Sequence, residues 1–537
     1  MKKTKVYYFL FNLILCFSGF LFLVNSGFRF EDGQFAYPLD DSFIHLAMAK
    51  NIAFEGVWGV TSHEFSSTSS SPLFTVILSS LMKIFGNVHT LPLYLNAILL
   101  FLFIAYLNLK SYWSDQGHQG GIITIAVMII ALPINLAAMG MEHILQLLMV
   151  LLLIDRIVKK RYYLTHSARL DPILLFLILL AVSTRFESIF IIAGLCFLLL
   201  LRNKWKDIFV LTLTAFLPLI LYGIFSLSNG SGFLPNSLLM KGHSGTGLIH
   251  TLYLHFGSFY KNLFINDSLA IFLIIPLLIQ FFIEKSTNNS DIKILAEVHG
   301  PTIFALTVVF LHHFFAQVGW LYRYENYVLM ITALSLKPLI GKLRNYWVKG
   351  FAKVAMVQKL VFIVTLLIFS SPFLQRFFAS TKLHYMAQQD IYNQHIVIAK
   401  FVRDYLKPEL DSPLAINDIG AICYYSDVPI FDIWGLATYE VTNYKHRAAS
   451  EYIPEMFDKY DIEYGIYYEY IFSDFFTDWE KAGYWDIGER YVAAGSTVTF
   501  AGKNSIFANK MNGLLKNYEQ FLPQRVKVKY PDQFVIP

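Results

Sequence analysis

Two adjacent acids, Asp40 and Asp41, are the first residues of this 537-residue chain whose types and spacing could do chemistry. They sit in Tyr37-Pro-Leu-Asp-Asp-Ser-Phe-Ile-His-Leu-Ala-Met-Ala-Lys-Asn-Ile-Ala53. Pro38 ends an extended entry. Phe43, Ile44, Leu46, Ala47 and Ile52 then recur at helical spacing, so a helix begins at one of the two acids. The helix is too short and too polar to span a bilayer, and is expected to lie in the membrane interface. Its dipole favours carboxylates at the N-terminus, and a divalent cation nearby would relieve their repulsion. Read for chemistry, the pair supplies a general base at a membrane surface. Read for structure, Asp40 is an N-cap and Asp41 a solvated first-turn residue. The sequence leaves these readings evenly balanced.

Other ionisable residues interrupt the apolar runs further on. Glu142 follows Met139-Gly140-Met141, Arg185 and Glu187 share Thr184-Arg-Phe-Glu187, Lys241 ends Leu234-Pro-Asn-Ser-Leu-Leu-Met-Lys241, and Arg323 and Glu325 share Tyr322-Arg-Tyr-Glu-Asn326. Taken singly, each reads as a side chain snorkelling to an interface. Such groups are costly beside a span unless paired or lining a cavity. Several on one membrane face, together with Asp40 and Asp41, point to a polar cavity. Arg185, Lys241 and Arg323 are cations, which favours an anionic ligand such as phosphate. His63, His243, His312 and His313 are assigned core or interfacial roles, because neighbouring His312 and His313 point to different helix faces. Ser66 to Ser71 is read either as a flexible loop or as site lining. Cys16, Cys196 and Cys423 give no disulfide framework and no zinc-type spacing, so no metal ligand set is assigned.

The elements that must position these residues are mostly membrane spans. The chain is 55% hydrophobic and 15% charged, against about 25% charged in soluble domains. The deficit lies before about residue 378. Apolar segments fall near 7–27, 72–86, 91–110, 121–138, 143–155, 172–184, 188–201, 208–226, 268–283, 302–320, 326–340 and 357–375. The basic N-terminus and the clusters Arg156-Lys159-Lys160-Arg161, Arg202-Lys204-Lys206 and Lys342-Arg344-Lys349-Lys353 are cytoplasmic by the positive-inside rule. They agree if about eleven segments cross, with 72–86 the best candidate for a short or re-entrant one. The net charge of +5 belongs to these loops and is not a nucleic-acid signal. The loop 28–71 and everything from about residue 379 then lie outside.

The fold class expected is therefore mainly α, with a polytopic membrane part (1–378) and a C-terminal soluble α/β domain (379–537). In the tail, Gln388 to Leu406 reads as an amphipathic helix, with strands at Leu414–Ile416, Pro429–Phe431, Ile462–Tyr468 and Thr497–Phe500.

Several of these pieces, in order along nearly the whole chain, resemble GT-C membrane glycosyltransferases of the group containing the mycobacterial terminal arabinofuranosyltransferase. They are Asp40-Asp-Ser-Phe-Ile44 with Lys50-Asn51, Ser69-Ser-Ser-Pro-Leu-Phe74, Met139-Gly-Met-Glu142, Thr184-Arg-Phe-Glu187, Leu234 to Lys241, Arg323-Tyr-Glu-Asn326, Asn417 to Asp427 and Phe431-Asp-Ile-Trp-Gly-Leu436. The resemblance implies sugar transfer from a polyprenyl-phosphate-linked donor at the outer face of the bacterial cytoplasmic membrane. An acid of the first loop, Asp40 or Asp41, is then the base. Glu142 or Glu187 would steady an oxocarbenium-like transition state, Lys241 and Arg323 the departing phosphate, and Arg185 and Asn236 would complete the binding residues. The chain departs from the family where Arg185-Phe186-Glu187 replaces the usual Arg-Pro-Glu and Pro235-Asn236-Ser237 the usual Pro-Asn-Thr, which bears on the sugar and acceptor more than on the reaction.

The expected acceptor is a cell-envelope glycan, lipopolysaccharide O-antigen or a related polymer, and the remaining partner is the bilayer. No cofactor is assigned, no nucleotide sugar is needed, and a divalent cation is left open. The competing readings are a transporter or flippase of lipid-linked sugars and a non-catalytic envelope assembly protein. A transporter would show matched repeat halves, and none is visible in the sequence.

Overall fold

Apolar runs become helices wherever backbone groups have no water to bond, and most of the described residues before 378 are helical. The computed structural model describes residues 2–30, 33–110, 117–160, 162, 170–241, 248–266, 269–283, 298–342, 356–446 and 448–531. Among these, four helices are long and apolar enough to cross a membrane: Lys5–Gly27, Leu91–Lys110, Trp205–Ser228 and the apolar part of Met356–Glu409. Pro72–Phe85, Pro172–Thr184, Phe186–Leu200, Ala270–Ile283 and Gly300–Phe315 are shorter apolar helices. Pro72–Phe85 has 14 residues, about 21 Å at 1.5 Å per residue, well short of a ~30 Å hydrocarbon core.

Three boundaries differ from the sequence reading. The segment 121–138 is two helices, Gly117–Ala131 and Pro133–Ala138. Leu132 takes a left-handed conformation between them, with φ 51°, where Pro133 prevents continuation. An amphipathic helix at Leu248–Phe264 had escaped notice because His250, Thr251, His255 and Lys261 interrupt its apolar pattern. The third difference is at residue 378, where the chain does not break. Met356–Asp390 is one helix of 35 residues that continues through a π-turn at Ile391–Ile396, a helix at Val397–Phe401 and a second π-turn at Val402–Leu406. The expected amphipathic helix at 388–406 is the far end of this connector. The basic clusters at 156–161 and 342–353 lie partly outside the described residues.

Beyond the connector lies a six-stranded mixed sheet. Its strands are β1 Leu414–Ile416, β2 Ile430–Asp432, β3 Tyr464–Tyr467, β4 Glu480–Asp486, β5 Thr497–Gly502 and β6 Lys527–Lys529, in the order β2-β1-β3-β5-β4-β6. β1 pairs in parallel with β2 and β3, and the remaining pairs are antiparallel. β4 and β6 were not foreseen, because Glu480, Lys481 and the lysines of β6 dilute their apolar alternation. Trp485 on β4 is fully buried, and its Nε1 donates to the carbonyl of Asn393 on the connector at 3.0 Å. The short helix Gly420–Ser426 follows β1 and packs on the first-loop helix, Asp41–Phe54. The C-terminal sheet region and the first loop therefore lie on the same side of the molecule.

Candidate active site

The first-loop helix does not lie on a surface. Ser42 through Ala49, with Asn51 and Ala53, are all buried, enclosed by the helix Pro72–Phe85 on one side and Gly420–Ser426 on the other. This corrects the interfacial placement. The helix's polar residues Ser42, His45 and Asn51 each find a partner inside the protein, although His45 Nδ1 and Asn51 Oδ1 have none. Ser42 donates to the carbonyl of Met139 at 2.7 Å, Asn51 to that of Gly59 at 3.0 Å, and His45 Nε2 lies 3.0 Å from Glu142.

The two acids at its start have different surroundings. Asp40 occupies the cap position without making a side-chain cap bond. Its carboxylate turns outward and accepts from the backbone N–H groups of Gly420 (2.7 Å) and Ala421 (2.8 Å). Asp41 takes a 2.5 Å contact from Arg323, and its side chain remains 38% exposed against 2% for the arginine. Asp40 is thus occupied in joining two parts of the chain, while Asp41 keeps a face toward solvent.

Arg323 is delivered by an unusual turn. Gly319, Trp320, Leu321 and Tyr322 all have positive φ, between 46° and 81°. Each non-glycine residue held in this left-handed region costs roughly 1–2 kcal/mol, so surrounding contacts must hold the turn. Arg376 of the connector supplies them, donating to the Tyr322 carbonyl (3.1 Å), Glu325 (2.7 Å) and Asn326 (2.8 Å). Glu325 in turn accepts from the Gly319 N–H at 2.9 Å. On Arg323 itself, Nη2 reaches Asp41 and the Tyr324 hydroxyl, Nη1 meets the weak acceptor Met141 Sδ at 3.1 Å, and Nε has no hydrogen-bond partner.

Behind this pair lies a buried ion network. Arg185 bridges Glu142 at 2.5 Å and Glu187 at 2.7 Å, with its guanidinium 5.5 Å from the centre of the Tyr324 ring. Glu142 is fully buried and also faces His45 and His143, so it holds Arg185 and the first-loop helix in place. Glu187 is partly open, with its side chain 17% exposed. Its carbonyl accepts from Tyr327, whose hydroxyl meets His312 at 2.9 Å. His312 and His313 are both buried.

The C-terminal sheet region grips the first loop at further points. Lys50 donates to the carbonyl of Tyr424 at 2.9 Å, and Ser62 gives Asp427 both its backbone N–H (3.0 Å) and its hydroxyl (2.8 Å). His63 meets the Asp427 carbonyl at 3.2 Å. Burial pushes the Asp427 carboxyl up, but the two bonds from Ser62 and the nearby Lys50 ammonium outweigh it and hold the group below the usual carboxylate range. Gly420 permits the closest approach, since a Cβ there would lie 2.2 Å from the Asp40 carbonyl oxygen and 2.6 Å from its carboxylate. Beside it, His395 Nδ1 lies 3.3 Å from Asp40 and Nε2 3.9 Å from Asp418. Burial alone would lower this imidazole, yet the Asp418 and Asp40 carboxylates raise it to about 9. Burial pushes Asp418 up.

Asn236 is buried at the other edge, where its N–H donates to the Ser67 carbonyl (2.9 Å) and its amide to Leu436 (3.2 Å). Residues 66–69 and 71 are buried and ordered around it, and Ser67 also meets the Tyr222 hydroxyl at 3.3 Å. Lys241 ends the helix Asn236–Lys241, but its side chain and all of His243 lie outside the described residues.

The fold therefore gathers Asp40, Asp41, Glu142, Arg185, Glu187 and Arg323, with Asn236 nearby. The sequence reading missed His45, Arg376, His395 and Asp418 as members of this assembly. His45 had a signal, lying one turn after Asp41. The other three come from distant elements and had none beyond their motifs.

Comparison with known proteins gives three findings. Residues 387–501 match a family described as a domain of unknown function, DUF8728. No curated protein matches the sequence. Among solved structures, ArnT from Cupriavidus metallidurans bound to undecaprenyl phosphate is similar at TM-score 0.50 and 10% identity, over 93% of this chain and 98% of that one. The archaeal oligosaccharyltransferase AglB from Archaeoglobus fulgidus, in complex with an inhibitory peptide and a dolichol-phosphate, is similar at TM-score 0.52 and 11% identity, over 98% of this chain and 76% of that one. Both are GT-C glycosyltransferases, and nothing in the comparisons singles out the arabinofuranosyltransferase group. At these identities the likeness is one of fold, and the chain shares the GT-C fold.

Proposed function

We propose that this protein is a glycosyltransferase that moves a sugar from a polyprenyl-phosphate carrier to a hydroxyl of a cell-envelope glycan, lipopolysaccharide O-antigen or a related polymer. The reaction takes place on the outer face of the bacterial cytoplasmic membrane, with about eleven crossings and the soluble domain in the periplasm. The observation that carries the reading is the pairing of a half-open acid, Asp41, with a buried arginine that has unused hydrogen-bonding capacity, Arg323. Both structural neighbours hold a polyprenol-type phosphate, which supports this class of donor.

In this mechanism Asp41 is the general base. It takes the proton of the acceptor hydroxyl as that oxygen bonds to the anomeric carbon. The bond from that carbon to the phosphate oxygen breaks, and the phosphate leaves with the electron pair. Arg323 meets the departing charge with Nε and Nη1, and Lys241 is the second cation. Glu187, held by Arg185, faces the positive charge that develops on the sugar. Asp40, Glu142 and Asn236 act at one remove, by fixing the loops that carry these groups.

The test is mass spectrometry of envelope glycans and of polyprenyl-phosphate sugars in cells with the wild-type protein, with none, and with Asp41→Asn. Loss of a general base slows transfer by roughly 10²- to 10⁴-fold. The variant is therefore expected to insert normally, lose one sugar from the glycan and accumulate its lipid-linked donor. An unchanged glycome in the variant, with a defect confined to the null, would reject the assignment.

A further inference from the structure

Asp40, His395 and Asp418 converge from three separate elements: the first external loop, the π-turn at Ile391–Ile396 and the turn after β1. One donor atom from each lies within 4.8 Å of the other two. Acids and a histidine often meet this closely as a simple ion pair, so two further observations matter. His395 is 7% exposed, and its Nε2 has no hydrogen-bond partner although it faces Asp418 Oδ2 at 3.9 Å. That separation is too long for a hydrogen bond, and of the order found between two donors that share one ion. A cavity of about 20 Å³, lined among others by Gln394, His395, Asn417 and Asp418, opens beside them. It has room for one water-sized ligand.

We propose that these three residues form a divalent cation site joining the soluble domain to the first external loop. An imidazole nitrogen with two carboxylate oxygens suits a borderline ion such as Zn²⁺ or Mn²⁺. Three protein donors leave one or more positions open toward the cavity. Asp40 can ligate while keeping its bonds to Gly420 and Ala421, because a carboxylate offers about four lone-pair sites and those bonds use two. The π-turn has a role here, since insertions of this kind recur where a helix must re-aim a functional side chain. The ion acts as a positioning element. It fixes Asp40, and through the next peptide Asp41, against a domain that otherwise touches this corner by backbone hydrogen bonds. The site does not depend on the glycosyl-transfer reading, because its donors lie outside the Asp41–Arg323 pair.

The full-length chain, purified in nanodiscs and stripped with a chelator, is titrated with Zn²⁺ and separately with Mn²⁺. Bound metal is measured by elemental mass spectrometry and melting temperature by fluorescence, alongside His395→Gln and Asp418→Asn. The proposal expects one ion per wild-type chain, a rise in melting temperature on loading, and at least tenfold weaker binding in each variant. Should a variant fail to fold, the visible absorption of Co²⁺ bound to the wild-type chain decides, since mixed nitrogen and oxygen ligation gives ligand-field bands distinct from those of the aqueous ion. A folded wild-type chain that takes up neither ion, or variants that bind as tightly as wild type, would overturn it and leave His395 as a bridging cation between two acids.

Discussion

Adjacent side chains in a sequence can have unrelated tasks, and Asp40 and Asp41 show why. A helix advances about 100° per residue, so consecutive acids at its start face different neighbours. Asp40 meets the backbone N–H groups of Gly420 and Ala421, and Asp41 meets Arg323. Their substitutions should therefore fail differently. Gly420→Ala leaves both acids in place but sets a methyl group where the Asp40 carbonyl and carboxylate now lie. The expected result is a membrane-inserted protein whose first loop is cut several-fold faster by added protease. Asp41→Asn should leave that cleavage rate unchanged. Equal cleavage of wild type and Gly420→Ala would show that the contact does not hold the loop.

At the level of elements, the left-handed turn at Gly319–Tyr322 depends on a residue 54 positions away from Tyr322, Arg376. Arg376→Gln removes the clamp and leaves Glu325 buried without its charge partner. Breaking a buried pair in this way costs about 3–5 kcal/mol. The variant is expected to melt several degrees lower and to lose transfer, because Arg323 is no longer aimed at Asp41. A normal melting temperature and normal activity would mean the turn holds itself. This turn also marks the limit of what the sequence could say. Apolar runs place most of the helices, because a span of that length has few other fates. Asp41, Arg185, Glu187 and Arg323 stand out because charge beside a span demands a reason. The burial of the first-loop helix was not legible, because a neighbouring domain covers it and local periodicity carries no record of that cover. Arg376 and His395 were hidden for the same reason, since their partners are dozens to hundreds of residues away. β4 and β6 were obscured by the charged residues on their exposed faces.

For the whole molecule, the C-terminal sheet region covers the first loop. Ser62 and Lys50 reach it through Asp427 and Tyr424. Because the folded environment depresses the Asp427 carboxyl, its contribution is present above the unfolded value, near 3.9. It is lost as pH falls through the lower folded value. The melting temperature of the wild-type protein should thus fall more steeply below about pH 4 than that of Asp427→Asn, which should start lower and change less. Parallel curves would remove Asp427 from the account of docking.

The uninterrupted connector gives the chain a mechanical phase. Rotation and rise are locked together in a helix, at about 100° and 1.5 Å per residue. One extra helical residue between Arg376 and His395 would turn the C-terminal sheet region like a misaligned gear, carrying Gly420 and Asp418 away from Asp40. Seven extra residues would restore the angle to within about 20°, but would lift the domain by about 10 Å. No helical insertion returns both coordinates. The spacing between the residue that clamps the left-handed turn and the residue that meets the first loop is therefore fixed, and the two halves of the protein can change in sequence far more freely than in separation.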